Sequence, residues 1–267
     1  MAKWICRIGL VVFLGVLVIN YKGVSMGKDA SISKEMIDKL ASKKIYFGHQ
    51  SVGFNIIDGV KEIMLKNPNI KLNIKETRDP RDFDLPVFAH SNIGRNKEPI
   101  SKIDDFKKVI ESGVGNKVDI AFFKFCFVDV DEKTNAKELF KYYTESVSAL
   151  ASEYPKVNFV HSTVPLTTIQ TGIKAKIKKL FGKSLWGEED NIKRAIFNCM
   201  IIEKYGNMVF DLAEAESTYP NGTKAQLYKN KSKFEYLISE YSHDGGHLNN
   251  VGKQRIAEEL VKFLAAK

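Results

Sequence analysis

Cysteine is scarce in this chain, 3 residues in 267. That excludes the disulfide-stapled miniature folds, which need several bridges in place of a core. Cys126 and Cys199 both sit in apolar contexts and read as buried free thiols. Long hydrophobic runs are also missing. The uncharged apolar stretch at residues 8–19 falls short of the roughly 18–20 residues that cross a bilayer. No internal repeat is visible, which excludes solenoids and propellers. A dense basic and aromatic stripe is absent as well. The formal charge of +9 is spread along the chain, so no nucleic-acid partner is expected. Apolar and aromatic content, 44% and 11%, is that of an ordinary globular protein and excludes wholesale disorder.

What is present begins with an export signal. Lys3 and Arg7 precede the apolar run, which has the length of a signal h-region. Small residues follow at Gly23, Ser25 and Gly27 without a clean Ala-x-Ala site. Residues 1–27 therefore read as a signal peptide or an uncleaved membrane anchor. Cys6 lies before the run, not after it where a lipid-modified cysteine stands. The expected location is periplasmic, secreted, or anchored on the outer side of a membrane. Losing Lys3, Arg7 and Lys22 with this segment lowers the charge from +9 to +6. Residues 28–267 then suit one domain.

Periodicity switches repeatedly along that domain. Residues 33–43 look helical, and 44–48 form a short apolar strand ended by Gly48. Val52, Ile56, Val60, Ile63 and Met64 then line one face of a helix stopped at Asn67-Pro68-Asn69. Residues 71–76 alternate like a strand, and 77–99 read as a loop rich in Pro, Asp, Asn and Gly. Helices follow at 100–112, 136–154, 189–205 and 251–266, with strands at 118–127, 157–161 and 208–211. Residues 166–187 are a basic insertion, and 212–246 read mostly as loop. Strand and helix alternate about five times, the signature of a mostly parallel sheet covered by helices on both faces. Chemistry in such sheets gathers at the carboxyl ends of the strands.

Two segments carry residues with chemical potential. Gly48-His49-Gln50-Ser51-Val52-Gly53 joins the first strand to the first long helix. A serine there has its hydroxyl at the carboxyl edge of the sheet, and the free N–H groups of a helix start can hold an anion. The same position also suits an ordinary helix cap. Asp244-Gly245-Gly246-His247-Leu248-Asn249, followed by Gly252, precedes the last helix. A histidine base needs a carboxylate to fix its tautomer, and Asp three residues ahead on a turn can supply it. A plain turn would account for Asn249 and the glycines, but not for Asp and His together.

The second segment resembles the last block of SGNH/GDSL-type hydrolases, in which Asp and His complete a triad. The nucleophilic Ser of that family lies just after the first strand, where Ser51 falls. The resemblance runs over residues 44–264. It implies a three-layer α/β/α sandwich with a mostly parallel, five-stranded, flavodoxin-like sheet. It also implies catalytic Ser51, His247 and Asp244, and no cofactor. The oxyanion hole it implies uses the N–H groups of Ser51 and Gly94. The first block departs from the pattern, with Gly-His-Gln-Ser in place of Gly-Asp-Ser. The third departs further. Cys126-Phe127-Val128-Asp129 stands where the family has Gly-x-Asn-Asp, so Val128 replaces the Asn that donates to the oxyanion. His49, Gln50, Asn92, Asn96 and Lys124 are candidate substitutes or substrate contacts. The implied activity is hydrolysis of an ester, an acetyl or short acyl group on a small molecule or a carbohydrate. A polysaccharide O-acetyltransferase on the same triad and a non-catalytic carbohydrate-binding relative are the alternatives.

Other readings compete at single residues. His243 and His247 are spaced as a helical metal pair, but Gly245 and Gly246 argue against a helix, and no metal is expected. His49 and His161 read as strand-end residues near the pocket. Cys126 in an apolar strand reads as packing, not as a nucleophile. Lys124 reads as a strand-end charge reaching solvent along its stem. Lys174, Lys176, Lys178 and Lys179 alternate with Ile173, Ile177 and Leu180. The segment 173–186 fits either a solvated lid or a membrane-interface helix.

Overall fold

A computed structural model describes residues 32–66, 71–229 and 232–267. The expected signal or anchor at 1–27 lies outside them. In chain order the elements are α1 (Lys34–Ala41), β1 (Lys44–His49), α2 (Val52–Lys66), β2 (Ile74–Glu76), β3 (Val87–Asn92), α3 (Pro99–Glu111) and β4 (Ile120–Phe123). Then come α4 (Ala136–Glu153), β5 (Asn158–Phe159), β6 (His161–Ser162), α5 (Gly172–Leu180), α6 (Glu188–Tyr205) and β7 (Val209–Phe210). The chain closes with α7 (Leu212–Ser217), β8 (Gln226–Lys229), β9 (Ser232–Glu235) and α8 (Asn250–Ala265).

The central sheet has five strands in the order β2-β3-β1-β4-β5, all parallel. Only Val160 separates β5 from β6, which pairs in parallel with β7 and carries the sheet one strand further. Setting the edge strand β2 aside, the order is the 2-1-3-4-5 of flavodoxin-like sheets. Successive side chains of a strand face opposite ways. Ile45, Phe47 and Phe122 therefore enter one apolar cluster with α1, α2 and α8. Tyr46, Ala121 and Phe123 enter the other, with α3, α4 and α6. The architecture is the three-layer α/β/α sandwich.

Three segments differ from the sequence reading. The loop assigned to 77–99 contains β3, the direct neighbour of β1, and the predicted strand 71–76 is only a three-residue edge. Half of β3 is polar, which hid it. Two of its polar side chains, His90 and Ser91, are buried because β1 supplies partners: Tyr46 Oη meets Ser91 Oγ at 2.8 Å, and His49 Nε2 meets His90 Nδ1 at 3.1 Å. The strand expected at 118–127 ends at Phe123. The loop expected at 212–246 holds α7 and the β8–β9 hairpin.

The two helices that carry the candidate site are locked together. A Cβ at Gly59 of α2 would lie 2.4 Å from the carbonyl oxygen of Lys253 and 2.8 Å from Ala257 Cβ, both in α8. Backbone cannot retreat cheaply from such a clash. Gly59→Ala is expected to lower stability by about 1–3 kcal/mol, read as a shifted urea midpoint with an unchanged slope.

Candidate active site

Ser51 sits in the tight turn between β1 and α2 with φ of 53°, in the left-handed region that a non-glycine residue rarely adopts. Turn bonds hold it there: Gly53 N–H donates to the Gln50 carbonyl at 3.0 Å and Phe54 N–H to the Ser51 carbonyl at 2.9 Å. The first turn of α2 carries no acidic residue, so nothing neutralises the positive end of the helix beside the hydroxyl.

The far end of the chain returns to this turn. Asn249 caps α8 by accepting from Gly252 N–H at 3.0 Å, and Leu248 N–H donates to Asn55 Oδ1 of α2 at 3.1 Å. The loop between them delivers His247. Its Nε2 lies 2.7 Å from Ser51 Oγ, and its Nδ1 lies 2.6 Å from Asp244 Oδ2. The other Asp244 oxygen accepts the backbone N–H groups of His247 and Gly246 at 2.7 and 2.9 Å. Desolvation pushes the Asp244 carboxyl up, but these two N–H groups and the His247 ring outweigh it and hold it well below the usual carboxylate range. Phe127 closes one side. Its ring meets the His247 ring edge-on at 5.5 Å, and a Cβ at Gly246 would lie 2.6 Å from it.

The remaining expected residues sit elsewhere. Gly94 is a turn glycine: its φ is +52°, a Cβ there would lie 2.6 Å from Lys102 N, and its N–H donates to Asp105 Oδ2 at 2.9 Å. That N–H is aimed at α3, not at Ser51, which corrects its expected place in the oxyanion hole. The Gln50 amide is likewise spent, donating to the carbonyls of Ile93 and Gly94 at 2.8 and 2.5 Å. Asn96 Oδ1 accepts from Lys102 Nζ at 2.9 Å. His49 is fully buried on the α2 face, and burial drives its pKa down to about 2. His161 is buried against Tyr143 Oη at 2.7 Å and held down to about 3 by burial. Neither histidine is placed to touch a substrate. Asn92 is exposed at the carboxyl end of β3, in register with His49.

Several buried polar residues lie behind the site. Asp129 accepts from Lys97 N, Lys102 Nζ and Cys126 N at 2.8, 2.5 and 2.6 Å, and so fixes the turn after β4. Arg194 of α6 donates to the carbonyls of Phe127 and Val130, both at 3.0 Å, and to Thr167 Oγ1 at 2.9 Å. It thereby positions Phe127 under the His247 loop. Lys124 is buried, not solvated, with Nζ 3.2 Å from the Phe125 carbonyl and 3.8 Å from Cys126 Sγ, and burial lowers its pKa. Cys126 is free and buried as expected.

Glu216 completes this interior. One carboxylate oxygen accepts Leu166 N–H at 2.6 Å and the other has no partner. Burial pushes its pKa up to about 8 despite the N–H of Leu166 and the nearby charges of Lys124 and Arg194. Between about pH 4.5 and 8 the folded chain keeps a proton that the unfolded chain releases, so this group makes stability fall as pH rises. Glu216→Gln removes that slope. Its stability relative to the parent is expected to rise from pH 5 to 9 by on the order of a few kcal/mol, measured by urea unfolding across that range.

A groove of about 590 Å³ flanks the triad loop, lined in part by Thr168, Gln170, Trp186, Ser242, His243 and Gly245. Ser51 is not in its lining, so the groove is a neighbour of the triad and not its seat. Thr168 N–H donates to the Gly245 carbonyl at 2.8 Å and ties the basic insertion to that loop.

No model of a protein family matches the chain, and no curated protein does. Solved structures do. A protein provisionally assigned as a platelet activating factor from Streptococcus pneumonia is 14% identical, over 86% of this chain and 91% of its own, with a TM-score of 0.49. A provisionally assigned SGNH hydrolase from Slackia heliotrinireducens is 14% identical, over 82% and 97%, with a TM-score of 0.45. The periplasmic domain of a lipopolysaccharide acetyltransferase from Salmonella ser. Paratyphi A is 11% identical, over 84% of each chain, with a TM-score of 0.44. The chemistry of the site is argued from its own side chains.

Proposed function

We propose that this protein is a serine hydrolase of the SGNH type that cleaves a carboxylic ester through Ser51, His247 and Asp244. The observation that carries this reading is the unbroken chain of contacts from Ser51 Oγ to His247 Nε2 at 2.7 Å and from His247 Nδ1 to Asp244 Oδ2 at 2.6 Å. A serine N-cap or a turn would need neither contact. Both are within the reach required for proton transfer.

The chemistry follows from the atoms in place. His247 Nε2 takes the Ser51 proton as Oγ attacks the ester carbonyl. The Asp244 carboxylate stabilises the positive charge that develops on the imidazole and holds the proton on Nδ1. The tetrahedral oxyanion forms at the start of α2, against the Ser51 N–H. His247 then returns the proton to the leaving alcohol. Water, activated by the same ring, releases the acid. With Val128 in the position of the usual Asn and Gly94 turned toward Asp105, the exposed Asn92 amide is our candidate for the second donor. Asn92→Ala is expected to lower kcat by about 10- to 1,000-fold with little change in KM, measured on a short-chain chromogenic ester.

The direct test is acid release from a short-chain chromogenic acetate ester, with a fluorophosphonate probe applied to the same protein. The expected result is turnover and a single label on Ser51. No turnover together with no label would overturn the proposal and favour a binding protein.

A further inference from the structure

We infer that α5 and the turn after it form a docking ridge that seats the protein on an anionic lipid surface, next to the groove beside the triad. The ridge is built the wrong way round for a helix that only packs on its own domain. Ala175 is buried against the protein at 6% exposure, while Ile173, Ile177 and Leu180 are 77%, 51% and 82% exposed. Spaced i, i+4 and i+7, those three share one stripe, and Ala175 lies on the opposite side of the helix. Phe181 and Trp186, 72% and 52% exposed, extend the patch past the helix end. Among the described residues, five of the eleven large exposed apolar side chains thus fall within residues 173–186. Solvent-facing apolar groups at that density mark a surface that meets something apolar.

The charges choose the occupant. Lys174 and Lys176 flank the stripe on either side, and Lys183 follows Phe181, all three exposed. A lysine-edged apolar stripe on a short helix buries its apolar side at the acyl boundary and leaves its ammonium groups among anionic headgroups. A second copy of the chain would bring the same lysines against one another. One nine-residue helix also offers far less than the roughly 800 Å² per partner of a stable dimer. Among the described residues no helix is long and apolar enough to cross a membrane, so the ridge would lie on the surface. It is mechanically joined to the site: Gln170 N–H donates to the Trp186 carbonyl at 3.1 Å, and Thr168 N–H to Gly245. Docking would thereby place the groove mouth at the lipid face, where an acylated amphiphile could enter without leaving the interface.

The chain has two tryptophans, Trp4 and Trp186, so the full chain carrying Trp4→Phe reports from the ridge alone. It would be mixed with vesicles of phosphatidylcholine, or of phosphatidylcholine and phosphatidylglycerol, carrying brominated acyl chains. Trp186 emission is expected to shift to the blue and to be quenched on the mixed vesicles. The triple variant Ile173→Ser, Ile177→Ser, Leu180→Ser should abolish both effects. Lys174→Glu, Lys176→Glu, Lys183→Glu should weaken partition by on the order of a hundredfold or more and remove the preference for phosphatidylglycerol. An N-terminal anchor leaves this readout unmoved, so protein that sediments with vesicles while Trp186 stays water-exposed overturns the inference. So does a blue shift without vesicles that grows with protein concentration, which would assign the ridge to a second copy. Ser51-dependent cleavage of a water-soluble ester should be equal in all these variants. That measurement separates failure of the ridge from failure of the hydrolase reading.

Discussion

Ser51→Ala is expected to lower kcat by about 10⁴- to 10⁶-fold on any ester the parent cleaves, with KM nearly unchanged. The hydroxyl makes a bond that exists only on the reaction path, so its loss falls on kcat. What survives comes from the helix start and the remaining oxyanion donors, which still act on a water attack. The same position makes a second, independent prediction about stability. With φ at 53°, the Ser51 backbone is held where a Cβ is strained, at a cost of about 1–2 kcal/mol. Alanine keeps the Cβ and the strain, whereas glycine relieves it. Ser51→Gly should therefore melt above Ser51→Ala although both are inactive. An inactive Ser51→Ala with a higher melting temperature than Ser51→Gly would place the strain somewhere other than this turn. Full activity in both would remove Ser51 from the mechanism altogether.

The two ends of the candidate site were legible through local patterns that together resemble the SGNH/GDSL blocks, since Ser51 taken alone suits a helix cap equally well. Ser51 follows an apolar strand and precedes an amphipathic helix. Asp244 and His247 are three residues apart on a glycine turn that precedes a capped helix. Neither needs knowledge of a distant partner to be placed. The middle of the site was not readable in this way. β3 is recognisable only once Tyr46 and His49 are known to satisfy Ser91 and His90 across the sheet. Glu216 and Arg194 look like ordinary surface charges in the sequence, and their partners Leu166, Phe127 and Thr167 lie more than 20 residues away in the chain. Gly94 shows the converse. Its position after β3 matched the oxyanion glycine, but the direction of its N–H depends on Asp105 of α3. Order along the chain carried the topology, and the orientation of single donors was settled by packing.

Asp244→Asn is expected to approach the loss expected of Ser51→Ala, about 10⁴-fold in kcat, although it changes one atom and leaves the fold intact. Asparagine keeps an oxygen for the N–H groups of His247 and Gly246, so the loop should hold its shape. Its amide nitrogen then faces His247 Nδ1. An N–H there forces Nδ1 to accept and moves the ring proton to Nε2, where it points at Ser51 Oγ. A ring in that tautomer cannot take the serine proton. Asp244→Ala acts differently. It frees Nδ1 to bind water and to select either tautomer, but it leaves two loop N–H groups without their acceptor. The alanine variant should therefore be less stable than the asparagine variant yet retain more activity. The asparagine variant should also recover part of its rate as pH rises, when hydroxide can take the serine proton that its ring cannot. A loss confined to the alanine variant, with the asparagine variant near full activity, would mean that Asp244 serves only to shape the loop. A larger loss in the asparagine variant, at equal or greater stability, would identify the His247 tautomer as the quantity that Asp244 controls.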